Sequence, residues 1–137
     1  MKYIVRSIEE TKQLAKKFAN KLREGDVVLL NGDLGAGKTT FTQFVFAFLG
    51  VKEVVNSPTF AILKSYEGKF QLHHVDTYRL STEEAIEAGF DEILDDRNSV
   101  IFIEWSENIK SLLPNKCIVI NIKHLEENSR EIEIINE

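Results

Sequence analysis

Four apolar residues, Val27-Val28-Leu29-Leu30, run almost directly into Gly32-Asp33-Leu34-Gly35-Ala36-Gly37-Lys38-Thr39, and a helical pattern begins where the glycines end. This order leaves few folds open. A continuous apolar run reads as a strand buried on both faces, as strands of parallel sheets are, and parallel strands need crossover helices to return the chain. The chain is therefore expected to be α/β, with the glycine-rich turn at the carboxyl end of a central strand. After the turn, Phe41, Phe44, Val45, Phe48 and Leu49 recur at helical spacing and stop at Gly50.

The turn itself has two glycines with four residues between them, followed by Lys and Thr, the pattern of a phosphate-binding loop. Polyphosphate carries several charges, so the backbone must approach closely enough to aim successive N–H groups at it, and glycine permits that approach. The helix that opens near Lys38 adds unpaired N–H groups and its positive dipole end. Asp33, Leu34, Gly35, Ala36, Gly37, Lys38, Thr39 and Thr40 are the candidate nucleotide-binding residues. Lys38 supplies a mobile cation for the β- and γ-phosphates, Thr39 a hydroxyl for Mg²⁺, and Thr40 a reach to phosphate from the same turn. The plainer alternative is a strand-to-helix turn that binds nothing, and the flanking elements speak against it.

At 137 residues and 43% hydrophobic content, the chain suits one globular domain over residues 1–137. No apolar run is long enough to span a bilayer, and Met1 to Val5 lacks the apolar segment of a signal peptide, so a cytoplasmic protein with no membrane contact is expected. The single cysteine, Cys117, excludes an internal disulfide and reads as a small core residue. A formal net charge of −5 argues against a surface built to grip nucleic acid, since such affinity comes mainly from Lys and Arg on phosphates. A role with RNA would then be indirect.

Taken in order, Lys2 to Arg6 reads as a short strand, and Ser7 with Glu10 has the capping-box spacing that opens a helix. Ile8, Ala15, Phe18, Ala19 and Leu22 fall on one face of it, with Lys12, Lys16, Lys17 and Lys21 on a solvated one. Past the loop helix, Pro58 forces Ser57 into an extended conformation, and Phe60 to Tyr66 and Phe70 to Tyr78 form a hairpin about Glu67-Gly68-Lys69. Ser57 and Thr59 either satisfy the loop backbone or sense the γ-phosphate and Mg²⁺ as a switch segment does.

The second hairpin strand ends in His73-His74-Val75-Asp76-Thr77-Tyr78-Arg79, with His74, Asp76 and Tyr78 on one face. Asp76 can hold Mg²⁺ or its water, and Arg79 can stabilise phosphate charge or pair with a carboxylate. Zinc is disfavoured, because no second His/Cys pair at ligand spacing accompanies the two histidines. Ser81 and Glu84 repeat the capping-box spacing before a short helix that Gly89 stops. Val100-Ile101-Phe102-Ile103-Glu104-Trp105 is a buried-strand run ending in an acid, the form expected where a second parallel strand presents a carboxylate beside the phosphate loop. Lys38, Asp76 and Glu104 are thus the candidate catalytic residues and Thr39, Asp76 and Glu104 the candidate metal ligands, with either acid admissible as the direct one. Trp105 reads as a core residue, a site residue or an interface contact. Ile118 to Ile122 and Ile132 to Ile135 form a terminal antiparallel pair.

With these residues in place the chain resembles the TsaE family, the small bacterial P-loop ATPases of tRNA threonylcarbamoyladenosine synthesis. The resemblance covers nearly the whole chain and rests on GDLGAGKTT from Gly32 to Thr40, SPTF from Ser57 to Phe60, HVDTYRL from His74 to Leu80 and IEW from Ile103 to Trp105. The first of these is shared by many ATPases; the set in this order is distinctive. It implies a P-loop NTPase-like three-layer fold whose central sheet has parallel strands and antiparallel flanks. It also implies ATP and Mg²⁺ as cofactors, and as partners a TsaD-like threonylcarbamoyl transferase and a TsaB-like scaffold subunit. Hydrolysis in that family supports repeated turnover of a complex that modifies adenosine 37 of ANN-decoding tRNAs. Residue by residue it implies phosphate binding by Gly32 to Thr40, metal or water positioning by Asp76 and Glu104, a switch-like role for Ser57 and Thr59, and a functional role for Trp105. One departure is Phe44-Val45-Phe46-Ala47-Phe48, where the family often has a small residue, so packing of the loop helix is expected to differ.

The competing reading is a P-loop kinase acting on a small-molecule acceptor. Such an enzyme usually carries a basic lid, and Arg79 and Arg97 are the only arginines in the middle of the chain. A GTPase is disfavoured by the lack of an Asn-Lys-x-Asp segment. A nucleotide-gated module that turns over only when partners complete its site overlaps with the TsaE-like reading.

Overall fold

Strand β1 (Lys2–Val5) leads into helix α1 (Ile8–Lys21), which starts where the Ser7 hydroxyl accepts the Glu10 N–H at 3.1 Å while the Glu10 carboxylate reaches back to the Arg6 N–H at 2.9 Å. This is seen in a computed structural model, which describes residues 1–33, 36–55, 63–77 and 80–136, with the backbone alone at Asn108. The buried stripe of α1 is Leu14, Ala15, Phe18 and Ala19, continued by Leu22. Ile8, expected on that stripe, is 70% exposed.

The remaining elements are β2 (Val27–Asn31), α2 (Lys38–Phe48), β3 (Leu63–Glu67), β4 (Gln71–Asp76), α3 (Thr82–Glu87), α4 (Phe90–Leu94), β5 (Ser99–Glu104), 3-10 turns over Ser106–Leu112, β6 (Ile118–His124) and β7 (Arg130–Ile135). Seven strands form one sheet among the described residues, in the order β1-β7-β6-β2-β5-β4-β3. Its centre, β6-β2-β5-β4, is parallel; β1 and β7 on one flank and β3 on the other pair antiparallel. This is the expected α/β architecture of parallel strands with antiparallel flanks. The β3–β4 hairpin also forms as the sequence implies, although the part of its first strand expected before Leu63 lies outside the described residues.

Alternating residues of the central strands feed two cores. Val28, Leu30, Phe102 and Ile120 pack on the side that carries α1 and α2, and Val27, Leu29, Ile101 and Ile103 on the side that carries Ala85 of α3, Phe90 of α4 and Ile109 of the 3-10 turns. With helices on both faces, β2 and β5 must be apolar at nearly every position, and that is why both read as continuous runs. No helix among the described residues is long and apolar enough to cross a membrane.

Helix α2 departs from its expected stripe. Phe41, Val45, Phe46 and Leu49 are buried and Phe44 partly so, whereas Phe48 is 37% exposed with the Lys16 ammonium 5.9 Å from its ring. The reason is two-sided packing. Phe41 meets Phe18 of α1 with centroids 5.9 Å apart, while Phe46 meets Phe102 at 5.0 Å, Tyr66 at 5.6 Å and His74 at 6.1 Å on the sheet. A helix held between another helix and a sheet needs a wider apolar arc than a surface helix. The aromatic content noted in the sequence is therefore absorbed around Phe46, against Tyr66, His74 and Phe102.

Register sets the site. Leu30 of β2 and Asp76 of β4 both pair with Glu104 of β5, so the carboxyl ends of three parallel strands reach the same sheet edge. The last residue of β2 is tied to its neighbours by side chains, Asn31 Nδ2 donating to Asn121 Oδ1 at 3.0 Å and Asn121 Nδ2 to Glu133 Oε1 at 3.1 Å.

Candidate nucleotide site

The glycine-rich loop leaves β2 through Gly32, where an added Cβ would lie 2.6 Å from the Ile122 carbonyl oxygen of β6. Only glycine fits there without moving a strand. Gly37 takes the left-handed region at φ 106° and caps α2 with no side chain, so among the described residues no N-cap side chain satisfies the first-turn N–H groups of α2. No acidic residue stands in that first turn, which keeps it attractive to anions. Leu34 and Gly35 lie outside the described residues; Asp33 and Thr40 are exposed, Thr39 half-buried and Ala36 buried.

Lys38 turns inward. Its Nζ lies 3.7 Å from Glu104 Oε1 and 4.2 Å from the centre of the Trp105 ring, and the side chains of both ion-pair partners are less than a tenth exposed. Burying two opposite charges is tolerable only as a pair with further polar support. His74 provides part of it, with Nε2 2.7 Å from Glu104 Oε2. The two oxygens of Glu104 are thus divided, one facing Lys38 and the other His74. The solvated strand terminus weighed from the sequence is excluded, because Glu104 is 3% exposed.

Trp105 follows at φ 60° and ψ 46°, a left-handed conformation that costs a bulky residue roughly 1–2 kcal/mol. Buried Thr77 holds it there. Its hydroxyl donates to the Trp105 carbonyl at 2.7 Å and its N–H to the Glu104 carbonyl at 3.2 Å, joining the end of β4 to the end of β5. The turn aims the indole at Lys38 while the chain departs into the 3-10 segment. Asp76, partly buried, sits directly across the parallel ladder from Glu104. The structure therefore brings Lys38, Asp76, Glu104 and Trp105 together at one sheet edge. Ser57, Thr59, Tyr78 and Arg79 fall outside the described residues.

The donor chemistry fits Mg²⁺. Thr39, Asp76 and Glu104 offer only hard oxygen ligands, and among the described residues no group of three or more His, Cys, Asp or Glu gathers closely enough to cage a metal alone. Mg²⁺ is held by one or two carboxylates and takes its other ligands from water and phosphate. The glycine cradle at Gly32 and Gly37 likewise fits a polyphosphate.

Two features escaped the sequence reading. Arg130, at the start of β7, donates its Nε–H to the Ala36 carbonyl at 3.0 Å, so the terminal hairpin clasps the phosphate loop. It stands 94 residues from its partner in sequence, and no spacing signals the contact. The other is His74, whose place in the motif was visible and whose contact with Glu104 was not. Its neighbour His73 lies apart, against Ser65 Oγ at 2.8 Å and Asp96 at 3.9 Å, and burial lowers its pKa even though Asp96 pulls the other way. Cys117 donates to the Pro114 carbonyl, and burial raises its thiol pKa, so it stays an unreactive, partly buried thiol.

A family model described as "Threonylcarbamoyl adenosine biosynthesis protein TsaE" matches residues 5–132. The chain belongs to the TsaE family. Among TsaE relatives, a protein of Rickettsia felis described as "tRNA threonylcarbamoyladenosine biosynthesis protein TsaE" is 47% identical over 135 residues, covering 96% of this chain and 78% of the relative. The protein of the same description from Bacillus subtilis is 44% identical over 125 residues, covering 90% and 78%. The crystal structure of Bacillus subtilis YdiB superposes with a TM-score of 0.82 at 37% identity, covering 98% of this chain and 83% of that one. The TsaE resemblance carried by four short motifs thus extends over the whole sheet.

Proposed function

We propose that this chain binds ATP with Mg²⁺ at the carboxyl ends of β2, β5 and β4 and hydrolyses it to sustain threonylcarbamoyladenosine modification of tRNA. It does so in the cytoplasm as part of a complex with a TsaD-like transferase and a TsaB-like subunit. The observation that carries the reading is the buried contact of Lys38 with Glu104 at the mouth of the phosphate loop, with Asp76 paired beside it in the ladder. The pathway is the one named for the relatives.

Lys38 contacts both Glu104 and the Trp105 ring. Phosphate binding draws its ammonium toward the loop, which uncovers Glu104 Oε1 and the face of the Trp105 ring. Magnesium, when bound, neutralises phosphate charge. Glu104 and Asp76 then orient either that ion or the attacking water. Trp105 heads the 3-10 segment, so loss of its cation contact alters a surface that a partner can read.

ATP hydrolysis by the chain alone, and with both subunits added, tests the proposal alongside a screen of small acceptors for phosphorylation. Low activity alone and a large increase with the subunits is expected. Stimulation by an acceptor and none by the subunits would transfer the reading to a kinase.

A further inference from the structure

We infer that His74 is the positioning residue of this site, holding Glu104 so that one carboxylate oxygen, Oε1, is presented to the nucleotide side. The inference rests on the ATPase reading for its catalytic consequence, but not for the contact itself.

His74 is completely buried on β4, and its Nε2 faces Glu104 Oε2 at 2.7 Å. Its other nitrogen, Nδ1, has no hydrogen-bond partner among the described residues. That asymmetry assigns the proton. With Nε2–H donating to the carboxylate, the ring leaves only a lone pair without a partner at Nδ1. The opposite tautomer would set a lone pair against a carboxylate oxygen and bury a donor with no acceptor. The ring cannot easily turn away, since Phe46 meets it edge-on at 6.1 Å and 76°, and the ladder pairs His74 with Phe102, two residues before Glu104.

The consequence falls on Glu104. A carboxylate held by one oxygen cannot rotate to chelate through both without losing the His74 bond. When Lys38 moves to phosphate, Oε1 alone is released, so Glu104 acts through a single oxygen whose direction is set by a neighbour on the next strand. A histidine buried only to fill the core would need volume and an edge for Phe46, and a phenylalanine would supply both. Core filling alone leaves the donor aimed at Oε2 unexplained; supporting the buried carboxylate and directing its other oxygen both require it.

Three variants separate the accounts. His74→Phe keeps the ring and loses the donor, His74→Asn places its amide near Nδ1 and away from Glu104, and His74→Gln returns an N–H close to the Nε2 position. Hydrolysis with both subunits and ATP affinity by calorimetry should divide accordingly. His74→Phe and His74→Asn should lose about 10- to 100-fold in kcat with KM changed less than about 3-fold, and His74→Gln should recover most of the loss. Equal activity in folded His74→Gln and His74→Asn would overturn the inference, and that pair decides it if His74→Phe does not fold. An independent readout needs no nucleotide: imidazole ¹⁵N shifts of the wild-type chain should show His74 protonated at Nε2 with Nδ1 bare. A ring protonated at Nδ1 alone would overturn the inference. If the wild-type chain hydrolyses no ATP with its partners, the ATPase reading fails, and the ¹⁵N shifts still decide the contact.

Discussion

Glu104→Gln should tighten ATP binding when Mg²⁺ is withheld, a gain of function from damage to the site. At 3.7 Å, the attraction between Lys38 and Glu104 is about 4–5 kcal/mol gross at an effective dielectric near 20. Desolvation of both groups offsets most of that, leaving about 1–2 kcal/mol that ATP must overcome to recruit the lysine. The amide removes the charge. With the His74 N–H fixed toward Oε2, the carbonyl of the glutamine turns to His74 and its NH₂ toward the Lys38 ammonium, which expels the lysine toward the loop. The variant also takes a negative charge away from incoming phosphates. Affinity should rise about 10-fold, corresponding to ~1.4 kcal/mol, with the Trp105 cation contact still resisting. Calorimetry with ATP in excess chelator measures this directly, and in Mg²⁺ with both subunits the same variant should have lost hydrolysis. Unchanged or weaker binding without metal, in a folded Glu104→Gln protein, would refute the view that this ion pair restrains Lys38.

Lys38→Ala should lower ATP affinity by about 1–3 kcal/mol through loss of a charged contact to phosphate, again read by calorimetry. Phe46→Ala should cost about 3–5 kcal/mol in urea unfolding, because the residue is fully buried among three rings and its space cannot collapse between α1 and the sheet. Thr77→Val removes the hydroxyl bond that holds Trp105 in its left-handed turn and should cost about 1–3 kcal/mol, with Trp105 emission shifting in the folded state. For His73, folding lowers the pKa below the ordinary 6.5. Above that pH both folded and unfolded rings are neutral and nothing is gained or lost. As pH falls through 6.5 the unfolded chain takes up its proton first, so stability declines until the folded ring is protonated as well. His73→Gln should therefore lose less stability between pH 7.5 and 5.5 than the wild type, measured by urea midpoints at both.

What the sequence showed and what it hid divide along range. Strand β2, the glycine loop and α2 were legible because their signals are local: an apolar run, glycines where backbone must approach, and a helical period. Glu104 was legible for the same reason, as an acid ending an apolar strand. The contact of His74 with Glu104 depends on the β4–β5 register, which no spacing within either strand encodes. Phe46 was hidden by two-sided packing, since a one-stripe reading of α2 assigns its position to solvent. The left-handed turn at Trp105 runs against the preference of its own residue type and is held by Thr77, 28 residues earlier.

The clasp of Arg130 on Ala36 has a bearing on how the protein is made. At about 5–20 residues per second, the ribosome adds Arg130 roughly 5–19 s after Ala36. Strand β1 waits longer, since Lys2 pairs with Glu133. Until those residues are added the glycine loop lacks the hairpin that closes over its backbone, and neither β1 nor β7 can pair. The backbone geometry of the glycine loop is therefore among the last features of the fold to be fixed, although its sequence is made in the first third of the chain.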